Sequence, residues 1–193
     1  MLRVLLCLCV LLFPFAVFGA PVIDEPMMLV AQPDVRGALF EASILIVKPM
    51  PDGSHIGFII NRRTTAMMSE LFPDDEASKK VADPLYLGGP DGYNRVFAMV
   101  DKRDTAGKDA VQMIPGVYLV SDAKDIDRVI SSDPAHARFF LGMVSWEPGQ
   151  LADELDRGYW YVDKADAKLV LEKKTDGLWE ELVRRSEAKA HSI

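Results

Sequence analysis

The stretch RFFLGMVSWEPGQLADELDRGYW, Arg138 to Trp160, decides the fold. From Ala137 to Trp146 the chain is apolar on both alternating faces apart from Arg138 and Ser145. That pattern predicts a strand covered on both sides, in the middle of a sheet. Gly142 withdraws a side chain where another backbone or a bulky residue comes close. Glu147-Pro148 ends the strand, and Pro148 suits the first helical position, where its missing N–H costs nothing. Gln150 falls where its side chain reaches back to the backbone ahead of the helix. Leu151 and Leu155 share a helical face, Gly158 stops the helix, and Tyr159 to Val162 starts a new strand.

Working upstream, Met28 to Gln32 reads as a short strand and Ser43 to Lys48, SILIVK, as a buried one. Pro49-Met-Pro-Asp-Gly53 is a turn, because proline presets φ and Asp-Gly supplies the reversal. His55 to Asn61 returns as its hairpin partner. Pro84 to Leu87, Arg95 to Val100, Val111 to Ile114, Val117 to Ser121 and, downstream, Lys168 to Leu171 read as further short strands. A helix capped by Thr64 or Thr65 is predicted through Phe72, with Met67, Met68, Leu71 and Phe72 inward. A second runs from a Ser121 or Asp122 cap through Ser131, burying Ile126, Val129 and Ile130. A last one follows an Asp176 cap, with Leu178, Trp179, Leu182 and Val183 inward. Tight turns between consecutive strands favour antiparallel pairing over a βαβ array. The prediction is an α+β fold: a single compact domain of roughly eight strands, with a mostly antiparallel, curved or pseudo-barrel sheet and several short helices.

The N-terminus is of another kind. Arg3 precedes the uncharged apolar run Val4 to Phe18. At about 1.5 Å per residue that run spans roughly 22 Å, short of the ~30 Å hydrocarbon core. Val17-Phe18-Gly19 before Ala20 offers a small-residue cleavage site, so residues 1–19 read as a secretory signal peptide, the alternative being an N-terminal membrane anchor. Residues 20–27 read as a loose leader, 28–188 as the domain and 189–193 as a tail. Cys7 and Cys9 both lie in the signal. Cleavage leaves no cysteine, which excludes thiol catalysis and cysteine-ligated zinc and leaves core burial to stabilise the exported chain. The expected location is periplasmic or secreted, without stable membrane insertion after cleavage.

Chain-wide chemistry removes more function classes. A net charge of −7 over 193 residues supplies no electrostatic footprint for nucleic acid. His55, His136 and His191 show no metal-ligand spacing, and no G-x-S-x-G turn presents a serine. Gly88-Gly89-Pro90 lacks the lysine of a phosphate loop and reads as a structural turn. Asp74-Asp75-Glu76 lacks calcium-loop spacing. Trp146, Trp160 and Trp179 read as core rather than as a ligand cage. No cofactor or metal is expected.

Six segments in fixed order carry a family resemblance: Leu29-Val-Ala-Gln-Pro33; Phe40 with Ser43-Ile-Leu-Ile46; Ile56-Gly-Phe-Ile-Ile-Asn61; Tyr86-Leu-Gly-Gly-Pro90; Gly116-Val-Tyr-Leu119; and Arg138-Phe-Phe-Leu-Gly142 running into Trp146-x-Pro-Gly-Gln-Leu151. Over almost the whole chain after the signal, the sequence resembles the YqgE/AlgH family. The resemblance implies a compact α+β fold around a bifurcated, pseudo-barrel sheet. It brings a transcriptional-regulator label of genetic origin, and no established activity. The chain departs from the family pattern in its export signal, in Arg62-Arg63-Thr64 after Asn61, in Asp91 after the Gly-Gly-Pro turn, and in Ser145 and Glu147 beside Trp146.

The candidate binding residues are therefore Asn61, Arg62 and Arg63, polar groups at the mouth of an apolar strand, and Ser145 and Glu147, polar where the family is small. Arginine forks suit carboxylate or phosphate. The leading expectation is a non-catalytic exported module binding a protein or small ligand. The alternatives are transcriptional regulation and a hydrolase-like site joining Asn61 to the Trp146 corner.

Overall fold

The computed structural model describes residues 23–191. The signal-peptide reading of residues 1–19, the first part of the leader and the end of the tail lie outside the described residues. In chain order the elements are β1 (Met27–Ala31), β2 (Ile44–Pro49), β3 (His55–Ile59), α1 (Met68–Leu71), β4 (Tyr86–Leu87), β5 (Asp91–Val100), α2 (Arg103–Ala106), β6 (Val111–Ile114), β7 (Val117–Val120), α3 (Ala123–Ser132), β8 (Arg138–Trp146), α4 (Gln150–Asp156), β9 (Trp160–Lys164), α5 (Ala167–Leu171) and α6 (Leu178–Ala190).

One sheet runs β6-β7-β5-β8-β3-β2-β1-β9, antiparallel at each step, with β4 added in parallel beside β8. It curls into a half-barrel with the short helices around it, the α+β single domain expected. The doubly apolar strands explain themselves in the core. Met28 and Val30 of β1, with Ile44 and Ile46 of β2, enter one cluster; Leu29, Ala31, Leu45 and Val47 enter another on the opposite face. Alternation at period two fills both clusters from the same strands. A third cluster packs Ile126, Val129 and Ile130 of α3 against Ala98, Val100 and Val120.

β8 is where the sheet forks. Its first half pairs with β4 through Phe140 and Leu141, and its last part pairs with β3 through Val144, Ser145 and Trp146, while β5 lies along the other edge. Gly88 sits in the crotch: its N–H donates to the Leu141 carbonyl (2.7 Å) and its own carbonyl accepts from Ile59 N–H (2.9 Å). A Cβ on Gly88 would stand 2.2 Å from the Gly142 oxygen, and one on Gly89 2.2 Å from the Met143 oxygen. Gly142, at φ +68°, in turn faces the Gly89 oxygen. The Gly-Gly-Pro turn is thus a backbone-on-backbone contact of the fork, and the Gly88 N–H is committed to it.

Several local expectations are corrected. Lys168 to Leu171 belongs to a helix, because the Asp166 carboxylate accepts from the Lys168 N–H (2.8 Å) and caps it. Such a short apolar run has no decisive period, and the cap settles it. α6 starts behind Gly177 at φ +72° without an Asp176 cap, and it runs through Ala190, into the stretch read as tail. Thr64 shapes the approach to α1, accepting from Ala66 N–H and donating to the Leu85 carbonyl; the first turn is closed instead by Glu70, which accepts from Met67 N–H. Met68 is buried, but Leu71 and Phe72 are 43% and 45% exposed rather than inward. The leader is not wholly loose: Met27 opens β1 and Ile23 packs beside the Leu29–Trp146 cluster.

Candidate functional site

The two groups of sequence candidates lie at opposite ends of β3. His55 pairs with Trp146 and Ile56 with Ser145, whereas Asn61 lies six residues beyond His55. At about 3.3 Å per residue, that places Asn61 on the order of 20 Å from the Trp146 corner. A hydrolase-like site spanning both stretches has no geometry to stand on.

At the Asn61 end, each polar group already holds the chain. The Asn61 amide oxygen accepts from Ile44 N–H and its Nδ2 donates to the Ala42 carbonyl, both at 2.8 Å. These bonds secure the entry to β2 beside Ala42, a non-glycine residue at φ +52°. Arg62 donates to the carbonyls of Ala38 (2.5 Å) and Glu41 (2.8 Å), clamping the loop before β2. Arg63 is exposed and faces Asp83 at 3.8 Å. Asp83 is also gripped by Lys173 Nζ at 2.6 Å.

Behind this end sits a group that sequence reasoning passed over as one polar exception in a strand. Arg138 is 1% exposed. Its guanidinium donates to the Val170 carbonyl (2.6 Å) and to the Ile60 carbonyl, stacks 3.9 Å from the Tyr86 ring centre, and leaves Nε without a partner among the described residues. Burial pushes its pKa down to about 10 against the opposing influence of Tyr86 and Glu172, so it remains a cation at neutral pH. Arg138 thereby ties the end of α5 to the end of β3. An arginine inside an otherwise apolar strand was the signal that a buried partner set awaited it.

At the Trp146 end, Ser145 donates its N–H (2.9 Å) and its hydroxyl (2.5 Å) to Asp91 Oδ2. The Gln150 side chain accepts from Glu147 N–H (3.1 Å), the predicted reach-back, although the regular helix begins only at Gln150. Glu147 itself is exposed. His55 shares the Trp146 face of the sheet by register, opposite to Ser145, so the two cannot form a nucleophile–base pair. Ser43 is fully buried and donates to the Phe40 carbonyl. Trp146 and Trp160 are buried and send both indole N–H groups to Glu154 Oε2, at 3.1 and 2.8 Å. Trp179 lies elsewhere, donating to the Ala31 carbonyl, so the three tryptophans do not converge.

One apolar concavity was not singled out by the sequence. A cleft of about 260 Å³ opens between α1 and α3, with Met68, Val96, Ile126 and Ile130 as its apolar floor and Phe72 as a wall. Asp75, Arg95 and Asp127 stand at its rim. Beside it β5 bulges: Asp91 pairs with Met143 but Val96 with Leu141, looping out Gly92, Tyr93, Asn94 and Arg95 against Gly142 alone. Tyr93 at the bulge is 76% exposed. Apolar pockets with a few convergent polar groups are the usual form of binding sites, and Tyr and Arg are favoured anchors at interfaces. The only sequence trace was the Leu71-Phe72 pair directly before Pro73, too short a signal to tell wall from core.

A family model described as AlgH-like matches residues 28–191. A UPF0301 protein of Chlorobaculum parvum is 28% identical over 160 residues, covering 81% of this chain and 83% of the relative. A UPF0301 protein of Parabacteroides distasonis is 27% identical over 159 residues, covering 81% and 79%. Among solved structures, the AlgH protein of Pseudomonas aeruginosa superposes with a TM-score of 0.71 at 18% identity, covering 86% of this chain and 90% of that one. A crystal structure of a Corynebacterium diphtheriae protein does so with 0.65 at 24% identity, covering 84% and 86%. The chain belongs to the AlgH-like family.

Proposed function

We propose that this AlgH-like protein is an exported, non-catalytic binding module that engages a protein partner through the cleft between α1 and α3. The observation that carries the reading is a division of labour among side chains. Asn61, Arg62 and Ser145 are consumed by the fold, whereas Phe72 and Arg95, the latter lying over the Phe97 ring, line an apolar cleft and Tyr93 stands exposed on the adjoining bulge. Exposed aromatic residues beside a preformed apolar cleft suit a partner that inserts one or two apolar side chains. Export rests on Arg3, the apolar run Val4 to Phe18 and the small residue before Ala20. Direct action on DNA fits poorly with a net charge of −7.

The test combines fractionation and N-terminal sequencing with photocrosslinking from a probe placed at position 93. Processed protein in the exported fraction, crosslinked to a discrete partner and losing that product in a Phe72→Ser variant, is the expected result. Unprocessed cytosolic protein would remove the export reading. Crosslinking indifferent to Phe72 would remove the cleft.

A further inference from the structure

A second cavity, independent of the cleft just described, sets two carboxylates beside aromatic rings. It measures about 400 Å³ and lies where the loop after β1 meets the corner between α4 and β9. Phe40, Tyr159 and Trp160 supply aromatic walls, and Asp34 and Glu154 supply carboxylates. Phe40 meets Trp160 edge-on with ring centres 6.0 Å apart, which fixes both rings. Glu154 is held in place by the Trp146 and Trp160 indoles, and both use Oε2. Its Oε1 and the whole Asp34 carboxylate meet no protein donor or cation among the described residues. Arg36 also lines the cavity, but its guanidinium is engaged by the Pro33 carbonyl on its own turn and pairs with neither acid.

One carboxylate held in place at Glu154, a second at exposed Asp34, and aromatic walls suit an organic cation better than a bare metal ion. Aromatic faces attract ammonium and guanidinium groups, and the carboxylates complete the charge. A metal ion gains nothing from the rings and wants more oxygen ligands than two acids offer. We infer that the Asp34–Phe40–Glu154–Trp160 cavity binds an alkylammonium group, of a free amine or of a lysine side chain. The two indole donors preorganise Glu154 for this, since the acid spends no conformational freedom on capture.

The experiment follows the indole N–H resonances of Trp146, Trp160 and Trp179 in the processed chain. The titrants are pentane-1,5-diamine, N-acetyl-lysine methylamide, and neutral N-acetyl-norleucine methylamide. The expected result is a saturable shift of the Trp146 and Trp160 signals with at least one of the two cationic probes, none with the neutral one, and a fixed Trp179 signal. Whether the diamine or the lysine amide binds more tightly assigns the free amine or the peptide as the source. Glu154→Gln disturbs both tryptophans, so the decisive variants are Asp34→Asn and Phe40→Leu on the loop, each expected to weaken binding roughly fivefold or more. Equal shifts from the neutral amide, no saturable shift with either cation, or unchanged affinity in Asp34→Asn would overturn the inference. So would calcium chloride displacing the bound amine at equal concentration.

Discussion

Asp91 and Ser145 are joined by two hydrogen bonds to a single carboxylate oxygen across fifty-four positions of chain. Separately, each is an exposed polar residue beside an apolar stretch. Together they form a latch that ties the root of the β5 bulge to β8. The bulge carries Arg95 to the α1–α3 cleft and leaves Tyr93 exposed beside it, and the latch sits at the root of that segment.

Breaking the latch should therefore loosen the bulge without unfolding the domain. In Asp91→Ala, amide exchange of residues 92–95 should accelerate severalfold while the β1–β2 amides stay protected, because both latch residues are at the surface. Equal acceleration throughout the sheet would show that the latch holds the whole fork.

Arg138 is expected to be the most costly polar residue to truncate. Arg138→Ala leaves the Val170 and Ile60 carbonyls unsatisfied and opens a void beside Tyr86, for a loss of about 3–5 kcal/mol in urea denaturation. Arg138→Met keeps most of the volume and should lose about half as much. A loss under about 1 kcal/mol for the alanine variant would mean that water replaces the guanidinium.

The fork glycines separate close approach from simple turn conformation. Gly89→Ala drives a Cβ into the Met143 carbonyl and should abolish soluble folded protein. Gly149→Ala meets nothing within 4 Å and bears only the strain of φ +86°, about 1–2 kcal/mol. Thermal melts of the two variants should differ accordingly.

Asp163 links β9 to the end of α6. Burial raises its pKa, but hydrogen bonds from Lys189 and the Lys164 N–H, with the charges of Lys189 and Arg185, outweigh it and leave the value below the usual 3.8. A depressed carboxyl contributes its stability above the unfolded pKa and loses it as pH falls through the folded one. The protection of amides 185–190, after correction for the intrinsic pH dependence of exchange, should thus be constant from neutrality to about pH 5 and fall below the unfolded value. Asp163→Asn should show reduced protection at every pH and erase that step.

Phe72 tests the cleft as an interface rather than a core. Because it is 45% exposed, Phe72→Ser should change stability by less than about 1 kcal/mol while removing partner capture. A large destabilisation would return Phe72 to the inward role its spacing suggested.

Much of the architecture was written locally. Short runs apolar on both faces marked β2 and β8 as buried strands, and the turn at 49–53 marked β3 as the partner of β2, because such runs and turns are properties of a few consecutive residues. Gly142, Gly158 and the Gln150 reach-back were legible for the same reason. Where the local signal was short, it misled: Lys168 to Leu171 became a helix through the Asp166 cap, and Leu71-Phe72 faced solvent. Partnership was not legible at all. That Arg138 would meet the Ile60 carbonyl, seventy-eight residues away, depends on a fork in the sheet that no period encodes. That Ser145 would spend its hydroxyl on Asp91 depends on the same fork. The sequence by itself determined the main apolar strands and where they turn, because those follow from covalent neighbours and side-chain solubility. Only the tertiary structure decided which polar residues are already satisfied and which still face a cavity, because that is set by register between distant strands.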